Sequence, residues 1–134
     1  MVFDTMVFAY SLFGIEPFRE DCYNALAKAR FIYAPDYLRS EFTNVSWLWV
    51  KSKHVTVRDA KQAMLDVEDL VTAWFSMRSL QTSALDLAVE KNHSPYDALF
   101  AVLAREQGCQ VITYDKSMLK AFPDLTLSVA EFVK

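Results

Sequence analysis

Ser94 to Asp115 reads as helix, glycine stop and strand with a carboxylate at each mouth, and the rest of the chain has to fit around it. Ser94 is a suitable N-cap, and Pro95 fits the first helical position, where its missing N–H would have no partner. Asp97 then lies in the first turn, where negative charge suits the helix dipole. Ala98 to Gln107 is apolar nearly all the way round, and Gly108 supplies the left-handed residue that ends a helix. Cys109 to Thr113 is short and rich in β-branched residues, as a buried strand should be, and Thr113-Tyr114-Asp115 closes it on an acid. Alone, Asp97 is a helix-start residue and nothing more. What gives it weight is whether other carboxylates converge on the same place.

The preceding chain alternates strands and helices. Met1-Val2-Phe3 reads as a short buried strand ending in Asp4-Thr5, and Met6 to Phe13 continues apolar toward Gly14 and Pro17. A helix follows around Phe18–Ala29, then a second strand, Phe31 to Ala34, closed by Pro35. Asp36 is a fair N-cap for a helix to about Val50, with Leu38, Phe42, Val45 and Trp49 as its core stripe. Glu41 lies at the edge of that stripe, with Asn44 and Leu48 at helical spacing beside it. Thr56 caps a helix whose apolar face is Val57, Ala60, Met64, Val67 and Val71; Val71 to Met77 is compatible with a strand. Ser83 and Asp86 form a capping-box pattern for a helix to about Lys91, and Asn92-His93 is the loop to Ser94. A short helix is expected at Lys116–Ala121, and Leu125 to Val129 reads as a last strand. This alternation predicts one α/β domain over residues 1–134 with a mainly parallel sheet.

Composition removes several classes of function. With 134 residues the chain can bury a core without staples, and Cys22 and Cys109 have neither metal-ligand spacing nor a disulfide pattern. Only two glycines occur, which excludes glycine-rich phosphate loops. Although 53% of residues are hydrophobic, no apolar run approaches the roughly 18–20 residues that span a bilayer. Met1 to Leu12 is apolar but carries Asp4 and lacks the basic start of a signal peptide, so a cytoplasmic protein with no membrane contact is expected. The net charge of −3 argues mildly against bulk attraction to nucleic acid, yet a carboxylate cluster that holds a cation would itself contribute to that sum.

Asp4 and Asp115 each directly follow a short hydrophobic strand, and sites in open α/β sheets form outside the carboxyl ends of the strands. Asp97 begins the helix before the strand of Asp115, and Glu41 sits one turn into a helix that follows another strand, so both can face the same edge. Four carboxylates in one pocket cannot all stay charged without a cation, because like charges in low dielectric cost several kcal/mol. Oxygen ligands without a nearby His or Cys pair favour Mg²⁺ or Mn²⁺. That chemistry suits phosphodiester hydrolysis by a metal-activated water.

Taken in order, the first strand with Asp4-Thr5, Tyr37-Leu38-Arg39-Ser40-Glu41-Phe42-Thr43-Asn44, Ser94-Pro95-Tyr96-Asp97-Ala98-Leu99 and Val111-Ile112-Thr113-Tyr114-Asp115 resemble the PIN domain. More narrowly, they look like the VapC-type toxins of prokaryotic toxin–antitoxin pairs. The resemblance covers essentially the whole chain. It implies a three-layer α/β/α fold with a parallel sheet and a Mg²⁺- or Mn²⁺-dependent ribonuclease site of four acids. By motif these are Asp4, Glu41, Asp97 and Asp115, with Asp4, Asp97 and Asp115 as metal ligands and Glu41 orienting water or ligating directly. Thr5 and Thr113 match family hydroxyl positions, and Asn44 and Ser94 stand beside the acids as possible supports. A cognate VapB-like antitoxin and a homodimer are the implied partners besides RNA. Lys116 and Ser117 occupy positions where some relatives carry a further polar or acidic residue, which puts a second tightly held metal in doubt.

Lys51, Lys53 and His54, interleaved with Trp47 and Trp49 and joined by Arg58, read either as an RNA-contact stripe or as a helix end with favourable positive charge. His93 and Lys116 are further candidates for RNA contact. Trp47 falls opposite the core stripe, so it should be exposed unless a homodimer or an antitoxin covers it. Two other functions compete. One is a PIN-like module that binds but does not cut. The other is a phosphohydrolase of the haloacid-dehalogenase type, which normally has a second aspartate two residues after the first, where this chain has Met6.

Overall fold

A computed structural model describes residues 1–134. The elements run β1 (Val2–Phe3), α1 (Thr5–Leu12), α2 (Arg19–Lys28), β2 (Tyr33–Pro35), α3 (Tyr37–Lys51), α4 (Val57–Leu70), β3 (Ala73–Phe75), α5 (Met77–Lys91), α6 (Pro95–Glu106), β4 (Val111–Thr113), α7 (Lys116–Ala121), β5 (Thr126–Ser128) and α8 (Val129–Val133). The five strands lie in the order β3-β2-β1-β4-β5, and every neighbouring pair is parallel. The chain steps from β1 through β2 to β3 in one direction, then crosses back to β4 and β5 on the other side. As right-handed crossovers these connections put α1 to α4 on one face and α5 to α7 on the other. The sheet is thus the middle of three layers. Covered on both faces, β1 and β4 bury Val2, Phe3, Val111 and Ile112 completely.

The reversal of direction falls between β1 and β4, whose register pairs Val2 with Val111 and Phe3 with Ile112. The residues just beyond, Asp4 and Thr113, therefore meet at the switch point, where ligands of such sheets bind. α6 supplies the centre of the core. Every residue from Ala98 to Ala104 is buried, because the sheet covers one side of the helix and α5 another. Thirty-one buried residues form one contiguous cluster around it. Both cysteines are free, and no helix is long and apolar enough to cross a membrane.

Several elements differ from the sequence reading. Met6 to Phe13 does not merely continue apolar: α1 begins at Thr5, and its buried Val7, Phe8 and Ala9 hide the face periodicity that would have marked it. α5 starts at Met77, six residues before the Ser83–Asp86 pattern, which lies inside it. Its cap is Ser76, whose Oγ accepts from Ser79 N at 3.3 Å. Asp36 does not cap its own helix; its carboxylate instead accepts from Met77 N at 3.0 Å, so one helix entry is tied to another across 41 residues. The last strand is only Thr126–Ser128, because Ser128 and Glu131 form a capping box that starts α8. Val57, expected on the core face of α4, is 55% exposed, whereas Ala63 takes its place inside.

Candidate active site

Asp4, Glu41, Asp97 and Asp115 line one open cleft of about 470 Å³ at the switch point, together with Thr5, Met6, Tyr10, Val45 and Tyr114. Each acid arrives by a different device. Asp4 stands at the N-cap position of α1 with extended backbone, but its carboxylate makes no cap bond. It receives Thr113 Oγ1 at 2.7 Å instead. Thr113 is fully buried, and the same oxygen accepts Asp115 N at 2.9 Å, so one hydroxyl serves both strand ends. Glu41, four residues after Tyr37 on α3, accepts from buried Thr5 Oγ1, and the Tyr37 hydroxyl lies near enough to favour its charged form.

Asp97 sits in the first turn of α6, where Ser94 Oγ accepts Tyr96 N at 3.2 Å. Its Oδ2 is 2.8 Å from His93 Nε2. Asp115 caps α7: its Oδ1 accepts from Ser117 N at 2.7 Å, Ser117 Oγ at 2.6 Å and Met118 N at 3.2 Å.

The electrostatics divide the acids. Burial pushes the Asp4 carboxyl up to about 6, against the pull of the Thr113 bond, and the charges of Glu41 and Asp97 push the same way. Glu41 is also raised, by burial first and then by Asp97, although the Thr5 bond and the nearby Tyr37 hydroxyl oppose this. For Asp115 burial is again the largest influence and acts upward, but the bonds from Ser117 and Met118 together outweigh it and hold the group below its usual range, with His93 adding to the effect. Environments that push neighbouring carboxyls apart in this way are a mark of functional sites.

These acids do not close into a cage: no three Asp, Glu, His or Cys side chains stand close enough together to hold an ion. The donor set nonetheless fits a hard divalent cation. Asp4 and Glu41 repel each other and have no cationic partner, and Mg²⁺ is commonly held by one or two carboxylates while keeping several waters. Asp4 and Asp97 would hold such an ion first, with Asp115 Oδ2, which carries none of the cap bonds, beside them.

The other sequence candidates scatter. Asn44 is exposed on α3 and does not line the cleft. Lys51, Lys53 and His54 lie exposed at the end of α3, away from the cleft lining. Lys51 Nζ sits 5.1 Å above the Trp47 ring and His54 stands edge-on to Trp49 at 5.2 Å. Trp47 is 56% exposed, in line with its position opposite the core stripe. Lys116 is exposed at the first position of α7, beside Asp115.

His93 is not a solvated loop residue. It is half-buried, bonded to Asp97 and packed edge-to-face on Phe122 at 5.0 Å. The aromatic wall of the cleft went unread in the sequence: Tyr10 stacks on Phe18 at 4.6 Å, and Tyr114 meets both rings edge-on. Only the position of Tyr114 between Thr113 and Asp115 pointed to it.

A PIN domain model matches residues 1–123. The solved structure of PAE2754 from Pyrobaculum aerophilum is similar, with a TM-score of 0.75 and 17% identity over 98% of this chain and 85% of that one. So is VapBC2 from Rickettsia felis, solved bound to a DNA fragment from their promoter, with a TM-score of 0.64 and 18% identity over 96% of this chain and 98% of that one. No curated protein matches the sequence. At these identities the solved structures speak for the fold, and the family model, which spans both strands and all four acids of the cleft, settles the family. The chain belongs to the PIN domain family, whose members are generally nucleases.

Proposed function

We propose that the protein is a Mg²⁺- or Mn²⁺-dependent endoribonuclease of the VapC type, cytoplasmic, homodimeric and restrained by a VapB-like antitoxin. The observation that carries this reading is the placement of Asp4 and Glu41. Both are pushed up by burial and by facing further acids in an open cleft with no cationic side chain among its lining residues. Such a cluster destabilises the apo fold, and a bound cation offsets the repulsion. When bound, the cation would supply Lewis acidity toward a phosphate oxygen and lower the pKa of a bound water.

The protein's own part is positional. Thr113 fixes Asp4, Thr5 holds Glu41, which would orient the attacking water, and the cap bonds fix Asp115. The antitoxin and dimer are supported by apolar surface on α3 and α4, where Trp47, Leu48, Val57 and Leu65 are 56%, 48%, 55% and 60% exposed.

The test is cleavage of total RNA with and without EDTA, alongside Asp4→Asn. Cleavage that EDTA stops, Mn²⁺ restores and Asp4→Asn lacks is the expected result. Undiminished cleavage by Asp4→Asn would show the site to be wrong. A second reading, a PIN-like module that binds without cutting, draws on the absence of a closed cage of ligands. Calorimetry separates the two, since the silent module would take up neither Mg²⁺ nor Mn²⁺.

A further inference from the structure

We propose that His93 is a positioning residue for Asp97, its Nε2–H holding the carboxylate in the orientation that a divalent cation requires. The inference rests on the metal-nuclease reading above and adds to it a residue outside the four acids.

The geometry carries it. A carboxylate only accepts, so the proton between His93 Nε2 and Asp97 Oδ2, 2.8 Å apart, belongs to the imidazole. Three features stop the ring from swinging away. Asn92 takes the left-handed conformation (φ 49°, ψ 51°) that ends α5. His93 N then donates to Ala88 O at 3.0 Å, closing the helix end one residue later. On the far side the ring stands against Phe122, which is 1% exposed. The loop between α5 and α6 is therefore a fixed bracket, and its one ring nitrogen aimed at the cleft meets an acid.

The bond engages Oδ2 and leaves Oδ1 of Asp97 free of it. Without it the aspartate, in the first turn of α6, could rotate about χ1 and χ2 at little cost. Partners that orient a ligating carboxylate typically change metal affinity or activity by about 10–100-fold when removed.

Two substitutions isolate the bond. His93→Phe keeps the ring packing on Phe122 and removes the donor, whereas His93→Gln places an amide N–H near the reach of Nε2. His93→Asn, too short to reach Asp97, stands in should the phenylalanine variant fail to fold. Mn²⁺ affinity is read by calorimetry on the folded proteins, with kcat and KM for RNA measured at limiting and saturating Mn²⁺.

We expect His93→Phe to bind Mn²⁺ about 10–100-fold more weakly, to regain kcat at saturating Mn²⁺, and to melt close to wild type, with His93→Gln near wild type throughout. Equal Mn²⁺ affinity in wild type and His93→Phe overturns the inference, as does a His93→Gln variant as impaired as His93→Phe. Wild-type protein that binds no Mn²⁺ overturns the metal-site reading itself, and this inference with it.

Discussion

Thr113 Oγ1 donates to Asp4 Oδ2 at 2.7 Å across 109 residues of sequence. The same oxygen accepts Asp115 N at 2.9 Å, so the closing hydroxyl of β4 orients two of the four acids. Thr113→Val keeps the shape and loses both bonds, leaving a backbone N–H and a carboxylate oxygen unpartnered in a buried setting. The expected cost is about 2–6 kcal/mol in urea unfolding, because each of the two unsatisfied groups costs about 1–3 kcal/mol. Thr113→Ser restores the hydroxyl and should recover most of it. A valine variant as stable as wild type would mean that water replaces both bonds.

Asp4 makes stability depend on pH in an uncommon direction. Its carboxyl is raised from 3.8 to about 6, chiefly by burial, so the folded protein holds this proton more tightly than the unfolded chain. Its contribution is fully present below about pH 3.8 and is lost as pH rises through about 6. At about 1.4 kcal/mol per pH unit, the ionised group costs the metal-free fold about 3 kcal/mol at neutral pH. Asp4→Asn, which can still accept from Thr113, should therefore raise the melting temperature in EDTA at pH 7.5 and leave it nearly unchanged at pH 4. Mn²⁺ competes with the proton, so the rise in melting temperature on adding Mn²⁺ to wild type should be larger at pH 7.5 than at pH 5. A melting temperature unaffected by Asp4→Asn at pH 7.5 would show that Asp4 is not desolvated.

Much of this site was legible because its signals are local. Ser94, Pro95, Asp97 and Gly108 each dictate their own backbone, and α6 and the strand after it lie where those residues put them. The supports were not legible, because they depend on which strands become neighbours. Nothing local tells that Thr113 reaches Asp4 or Thr5 reaches Glu41, or that Asp36 serves the entry of α5 rather than its own helix. Two partnerships did leave a trace. His93 and Tyr37 each precede an acid by four residues, the spacing that brings side chains together on a helix. At His93 that trace was obscured because the residue lies in the loop before α6, ahead of its N-cap.

The Tyr37 hydroxyl lies near Glu41 and favours its charged form, while its ring stacks on Tyr96 at 5.3 Å with the planes 19° apart. Tyr37→Phe removes the hydroxyl and keeps the stack. Burial already raises Glu41, and Tyr37 carries one of two hydroxyls that restrain it. Without that hydroxyl Glu41 takes up its proton at higher pH, so the acid limb of the cleavage profile should move upward while stability changes by less than about 1 kcal/mol. An unmoved limb would mean that Glu41 does not ionise in the step that limits cleavage.

Asp115 combines two roles that different substitutions separate. Oδ1 caps α7 with three bonds, whereas Oδ2 takes no part in the cap. Asparagine caps a helix about as well as aspartate, so Asp115→Asn should unfold within about 0.5 kcal/mol of wild type, and Asp115→Ala should lose about 1 kcal/mol. Cleavage should respond to charge instead. If Oδ2 stands beside the cation, both variants lose activity and Mn²⁺ affinity together, although only alanine loses stability. Rate and affinity that follow stability, falling in Asp115→Ala and holding in Asp115→Asn, would reduce Asp115 to a helix cap. The cation would then rest on Asp4 and Asp97, and the burden of orienting those two would fall on Thr113 and His93 alone.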